Sequence, residues 1–247
     1  MDTIVTAWIA ALEKRHTATL TFQEVRKGVQ ALSSLYVERR GQIAAGAAFH
    51  GAGKCAGFAM FYAPLHFLLV REIVRALHAS PPESIIDLGC GTGCAGAAWA
   101  IECGGSPQIT GIDRNSWAIK ECKWNYRELK LQGTTRTGDV ALLTIPPNHA
   151  IVAAFTINEL SDDARARLLK QLLDAAKAGQ PVLVVEPIAR RLTTWWEFWS
   201  NSFRAAGGRD DDWRFPIDLP DSLKRMDRAA GLDHRELTAR SLWLSGR

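Results

Sequence analysis

The 247-residue sequence is short of several things. No window reaches the roughly 18–20 uncharged apolar residues that a membrane span needs. The longest candidate, residues 55–70, contains Tyr62, Pro64 and His66 and reads as a buried or cofactor-facing segment. Near the N-terminus, Glu13, Lys14, Arg15 and His16 interrupt the apolar run that starts at Ile4, so no signal peptide is expected. There are only five cysteines, an odd number at irregular spacing, with Cys90, Cys94 and Cys103 close together. That pattern fits neither a disulfide framework nor separated ligand pairs for a metal, so free thiols and no metal site are expected. These absences together predict a soluble, cytoplasmic chain with no membrane partner. Twenty glycines and ten prolines are ordinary counts, which excludes collagen-like and low-complexity classes. No 20–50-residue period repeats, which excludes solenoids. Charge of one sign is also scarce: the formal net charge is +4, which permits a nucleic-acid partner without indicating one.

With 47% hydrophobic and 23% charged residues, the chain can bury a sizeable core in one large domain or a domain with an extension. Residues 1–84 carry nine basic and six acidic groups, 85–186 ten and eleven, and 187–247 eleven and nine. The first 83 residues read as a helical extension or lid. Phe22, Val25, Val29, Leu32 and Leu35 follow helical spacing, and residues 64–78 form a second amphipathic stretch closed by Pro81 and Pro82. The Gly- and Ala-rich residues 41–57 between them read as a flexible connection.

From residue 84 the pattern changes. Apolar runs of strand length at 84–88, 108–112, 150–157 and 181–185 alternate with helical stretches at 94–102, 116–131 and 162–178. A weak strand ends at Gly138 and Asp139. Strands separated by helices imply βαβ units and a parallel sheet with helices on both faces, so 84–247 is expected to form one α/β domain. Its tail has a tryptophan cluster (Trp195, Trp196, Trp199), a helix over 221–230 and a late strand over 236–244 suited to an antiparallel edge.

Asp87-Leu88-Gly89-Cys90-Gly91-Thr92-Gly93 follows a strand and opens a helix. Glycines allow a tight turn and close backbone approach to a ligand, and the helix N-terminus beyond favours an anionic group. Asp113 ends the next strand, where a carboxylate can accept from both hydroxyls of an adenosine ribose. Arg114 follows it. Gly91, Gly93 and Gly96 also satisfy the dinucleotide fingerprint, so a nicotinamide or flavin cofactor stays a rival; Asp87 favours a ligand with an amino group.

The stretch resembles the class I S-adenosylmethionine-dependent methyltransferases over roughly residues 60–190. The resemblance implies a Rossmann-like, doubly wound, mostly parallel sheet of about seven strands, with S-adenosylmethionine as cofactor and S-adenosylhomocysteine as product. It implies that Asp87, Gly89, Cys90, Gly91 and Gly93 lie by the amino-acid moiety, Asp113 by the ribose and Asp139 by the adenine, with Arg114 also among the cofactor-binding residues. It also places Asn158 and Glu159, in Thr156-Ile157-Asn158-Glu159-Leu160, beside the methyl group. Tyr62-Ala63-Pro64, Asn158-Glu159-Leu160 and Val184-Val185-Glu186-Pro187 resemble the mitochondrial small-subunit ribosomal methyltransferase-like branch, without its cysteine ligand set.

Methyl transfer asks for a nucleophile held in line and, for a neutral oxygen or nitrogen, a base. Asn158, Glu159 and Tyr62 are the candidate catalytic residues, with Asn158 also counted among the cofactor's neighbours. Glu186 is a further cleft candidate, and Asp162 reads as the next helix cap. Tyr62 and His66 lie one helical turn apart, and His50 sits in the glycine-rich stretch. The acceptor is not identified by the sequence; a small molecule and ribosomal RNA are the two classes expected. Arg190, Arg191, Arg204, Arg209 and Arg214 around the tryptophans suit RNA phosphate, although Asp210, Asp211 and Asp212 dilute that field. Two other readings are a ribosome-assembly or RNA-binding protein without turnover and a small-molecule methyltransferase of specialised metabolism.

Overall fold

The computed structural model describes residues 2–38, 49–105, 107–189 and 193–246. The expected lid stretch at 41–48, together with Arg190 and Arg191, lies outside them. Contacts divide the chain into two compact units that do not follow a linear boundary at 83/84. One comprises Met1–Phe67 and Pro216–Leu237, the other Leu68–Phe215 and Thr238–Arg247. The physical reason is that the chain leaves the second unit after residue 215, adds a helix to the first, and returns.

The first unit is helical: α1 (Thr3–Thr17), α2 (Phe22–Glu38) and α3 (Ala52–Gly57), then a π-helical turn (Phe58–Tyr62) that runs directly into α4 (Ala63–Ala76), whose residues from Leu68 on belong to the second unit. The helix α9 (Asp221–Ala229) belongs with them. Thus residues 52–57, expected as connection, are helical. Gly28 on α2 allows this, because a Cβ there would sit 1.9 Å from the Gly53 carbonyl oxygen. The continuous helix Ala52–Ala76 is, against expectation, long and apolar enough by length and composition to cross a membrane. Within the fold, 72% of its most apolar window is buried, as in a core helix.

The second unit carries the sheet. Its strands are β1 (Ser84–Leu88), β2 (Gln108–Asp113), β3 (Gly133–Thr137), β4 (Ala150–Ala154), β5 (Val182–Glu186), β6 (Arg209–Pro216) and β7 (Glu236–Leu244). Their order is β3-β2-β1-β4-β5-β7-β6. The first five run parallel, with Asp87 opposite Gly111 and Val152, and Ala154 opposite Val185. β7 is antiparallel to β5. It inserts between β5 and β6, so the edge position falls to β6. The helices α5 (Cys94–Glu102), α6 (Ser116–Glu128) and α7 (Asp162–Lys177) connect the parallel strands, and α8 (Trp196–Ala205) follows β5. This is the doubly wound, Rossmann-like architecture that the alternating pattern predicts.

The local signals explain the boundaries. Asn115 caps α6 by accepting from the backbone N–H groups of Trp117 and Ala118, each at 3.0 Å. The cap of α7 is Ser161 rather than Asp162. Ser161 has the extended backbone a cap needs and accepts from the Ala164 N–H, whereas Asp162 is the first helical residue. β1, β4 and β5 are almost wholly buried because helices cover both faces, and apart from Ser84, Asp87 and Glu186 their residues are apolar. Trp196 and Trp199 enter the core formed by β4, β5, β7 and α7, and Trp195 packs partly buried against it.

Leu242 of β7 is fully buried opposite Val184. Leu242→Ala should cost about 2–5 kcal/mol in urea denaturation. Leu142→Ala, at a site 81% exposed, should stay within about 0.5 kcal/mol. Equal costs would contradict the central place of β7.

Candidate functional site

The C-terminal ends of β1, β2, β4 and β5 gather most of the residues singled out from the sequence. Between β1 and α5 the chain turns through Gly89, Gly91 and Gly93, all with positive φ. Two of these glycines are forced by packing. A Cβ on Gly89 would lie 2.4 Å from the Thr156 methyl carbon, and one on Gly93 would lie 2.5 Å from the Cys122 sulfur. On Gly91 a Cβ would meet nothing within 4 Å. The turn is therefore packed at both ends and open in the middle.

Its backbone is held from outside. Asp87, 1% exposed, accepts from the Gly96 N–H at 2.8 Å. It lies beneath the turn, holding the start of α5. Asp113 accepts from the Gly91 N–H at 2.8 Å through one carboxylate oxygen and from the Asn115 N–H at 2.7 Å through the other. The Cys90 N–H donates to the Ile112 carbonyl at 3.0 Å. The buried Asn125 amide donates to the Thr92 carbonyl at 2.8 Å. The Thr156 hydroxyl lies 3.2 Å from the carbonyls of both Leu88 and Gly89. Asn125 and Thr156 were missed from the sequence. The signal for Asn125 was a polar residue on the buried face of α6, among Ala118, Cys122 and Tyr126; for Thr156 it was only its nearness to Asn158.

The side chain of Cys90 is buried, its sulfur 3.8 Å from that of Cys122. Burial first, then Cys122, pushes the Cys90 thiol up. Among the described residues no cluster of three or more His, Cys, Asp or Glu could hold a metal. Asp139 follows β3 and accepts from the Ala141 N–H at 2.8 Å, closing its own turn.

After β4 the chain reverses at Phe155, whose φ of +58° is costly for a bulky residue. This reversal sets Thr156 under the glycine turn and starts a 3₁₀ turn over Ile157–Glu159. The Asn158 amide is used at both ends: its nitrogen donates to Glu186 at 2.8 Å, and its oxygen accepts from the Trp195 indole N–H at 2.8 Å. Glu186 is fully buried and also accepts from the Ile157 N–H at 2.8 Å. Glu159 lies 3.8 Å from Arg114, and its side chain is 37% exposed. Burial of the carboxyl raises it to about 7, with Arg114 opposing the shift and Asp113 adding to it.

Tyr62 belongs to the first unit. Its hydroxyl bonds Ser33, and burial pushes it up to about 12. Burial lowers His66 to about 4, so it is neutral at ordinary pH. His50 also belongs to the first unit.

The residues present fit an adenosine-bearing ligand. The turn is open at Gly91, and each Asp113 oxygen accepts one backbone bond, leaving capacity for ribose hydroxyls.

Residues 85–179 match the protein family described as Methyltransferase domain. The carboxy-S-adenosyl-L-methionine synthase of Shewanella piezotolerans is 27% identical over 115 residues, 45% of this chain and 47% of that relative. The match thus spans about half of that relative's length. A SAM-dependent methyltransferase from Aquifex aeolicus is 15% identical, with 73% of this chain and 91% of that one covered and a TM-score of 0.49. A Pyrococcus abyssi tRNA (uracil-54, C5)-methyltransferase, solved with S-adenosyl-L-homocysteine, is 14% identical over 74% of this chain and 38% of that one, with a TM-score of 0.48. Structural likeness at this level speaks to neither substrate nor partner.

Burial raises the Asp87 carboxyl to about 7, against the Gly96 N–H and with a smaller upward push from Asp113. Between about pH 4 and 7 the unfolded chain releases this proton and the folded chain keeps it. Stability therefore falls as pH rises through that window. Asp87→Asn stays neutral and keeps an acceptor for Gly96. The stability of wild type relative to this variant should drop by up to about 1.4 kcal/mol per pH unit, read by urea denaturation. A difference flat from pH 4 to 7 would contradict the buried, protonated carboxyl.

Proposed function

We propose that this chain, whose residues 85–179 match the Methyltransferase domain family, is an S-adenosylmethionine-dependent enzyme that methylates an oxygen or nitrogen nucleophile, with Glu159 accepting the proton that the nucleophile sheds. The observation that carries this reading is the place of Glu159, in the 3₁₀ turn after β4 and 3.8 Å from Arg114, where partial burial raises its carboxyl to about 7. A base with that value is largely ionised just above neutral pH yet still basic enough to take a proton.

When bound, S-adenosylmethionine supplies a sulfonium methyl open to in-line attack. Asp113 would hold the ribose hydroxyls, and the backbone of residues 89–93 would line the rest of the moiety. Asp87 and Thr156 keep that backbone in place from below. Asn158, with Glu186 and Trp195 on its two ends, fixes the 3₁₀ turn and so sets where Glu159 presents its carboxylate. Arg114 steadies the ionised form of Glu159 without neutralising it fully, since the pair is long at 3.8 Å.

Two measurements test the reading. Calorimetric titration with S-adenosylmethionine should give binding that Asp113→Ala weakens about 30- to 1000-fold, the loss of two charge-assisted hydrogen bonds. With methyl-labelled cofactor and fractionated small-molecule and RNA pools, label should pass to an acceptor. The rate should rise with pH and level off above about 7, and Glu159→Gln should lower it about 100-fold or more and flatten that rise. Undiminished transfer by Glu159→Gln would remove Glu159 as the base, and absent cofactor binding would remove the function.

A further inference from the structure

The charge of this chain is unevenly placed. Residues 114–136 hold six basic and two acidic residues, so this segment alone carries a formal charge equal to the +4 of the whole chain. One of the two acids, Glu121, is 3% exposed. On α6, Ala118, Glu121, Cys122, Asn125 and Tyr126 form the buried face. At 100° per residue, Lys120, Lys123 and Arg127 point directly away from it, and all three are exposed. Trp117 and Trp124 run along one shoulder of the same stripe, partly buried. Lys130, also exposed, continues the line in the turn after the helix.

Ordinary solvated helix faces mix signs. On α7, Arg165 pairs with Asp162, and Lys170 with Asp174. Elsewhere in the same unit Arg71, Arg204 and Arg209 each meet a carboxylate. On α6 the charged residues three or four positions from Lys120, Lys123 and Arg127 are all cations. Such spacing disfavours the helix slightly, so the stripe is no aid to stability.

We infer that the outer face of α6 binds the sugar–phosphate backbone of a single-stranded nucleic acid. Lys120 to Arg127 spans seven residues, about 10 Å of helix, so the three long side chains can reach neighbouring phosphates of one strand. The two indoles beside the cations offer surfaces on which unpaired bases stack. A lipid surface fits less well, because an interfacial helix needs a free apolar face and that of α6 is already buried in the fold. This inference does not rest on methyl transfer.

The test is fluorescence anisotropy of the full chain with labelled 15-mers of single-stranded RNA and DNA, from 25 to 200 mM salt, as ~2-fold steps. Wild type should bind at least one of them, with log affinity falling against log salt. The triple variant Lys120→Gln, Lys123→Gln, Arg127→Gln should lose about 2 from that slope, roughly 0.7 for each contact removed. A control, Lys170→Gln with Lys177→Gln on α7, should keep the wild-type slope. Circular dichroism and S-adenosylmethionine affinity should be the same in all three proteins, which separates failure of this inference from failure of the cofactor reading. Absence of binding to both oligonucleotides at 25 mM salt would overturn the inference, the low end of the ~2-fold series. So would an unchanged slope in the triple variant, or binding to phosphatidylserine vesicles in place of either oligonucleotide.

Discussion

The turn from β1 into α5 passes through three left-handed glycines within five residues, and a backbone bent so sharply leaves polar groups unpaired. Side chains from four places meet them. Asp87 of β1 takes the Gly96 N–H, Asp113 of β2 the Gly91 N–H, Asn125 of α6 supplies the Thr92 carbonyl, and Thr156 after β4 reaches Leu88 and Gly89. Strand order makes this possible, because β1 lies between β2 and β4 and its end can be reached from both sides. Asp113, proposed above to hold the ribose, is thus also a structural brace. One carboxylate ties the glycine turn to the end of β2.

A second network lies across the cleft. Glu186 ends β5 and is fully buried, so its oxygens must be satisfied within the protein. The Ile157 N–H and the Asn158 amide do this, and the Trp195 indole completes the amide's other end. Trp195 packs edge-on against Trp199, with ring centroids 5.0 Å apart. The small turn bearing Glu159 is therefore tied, through a chain of satisfied polar groups, to the aromatic core. Strain at Phe155 is held in check by this network, since Phe155 itself donates to the Val185 carbonyl at 2.8 Å.

What the sequence made legible were features whose causes are local. β1, α5 and β7 fall on the residues that apolar runs and turn chemistry marked, and the glycine turn sits where its spacing puts it. β3 was faint because Gly133–Thr137 is an edge strand of mostly polar residues that pairs with β2 alone. Residues 52–57 read as loop from composition, yet their glycines serve helix-to-helix contact, which no local pattern reveals. Asn158 stood out as a polar residue after β4, but that both ends of its amide are engaged was not legible, because Glu186 and Trp195 are 28 and 37 residues away. Chemistry-bearing residue types were visible in the chain, whereas their partners depended on topology.

The insertion of β7 between β5 and β6 bears on how the chain is made. While a ribosome is still synthesising residues 187–235, β5 stands complete with one hydrogen-bonding edge bare, and β6 has no neighbour to join. That open edge, Val182–Glu186, has four apolar residues before its terminal glutamate and is a template for pairing with another nascent chain. Only when Glu236–Leu244 emerges can two edges close at once. Synthesis speed over these last segments, and chaperone cover during them, should then govern yield more than the final stability of the folded state.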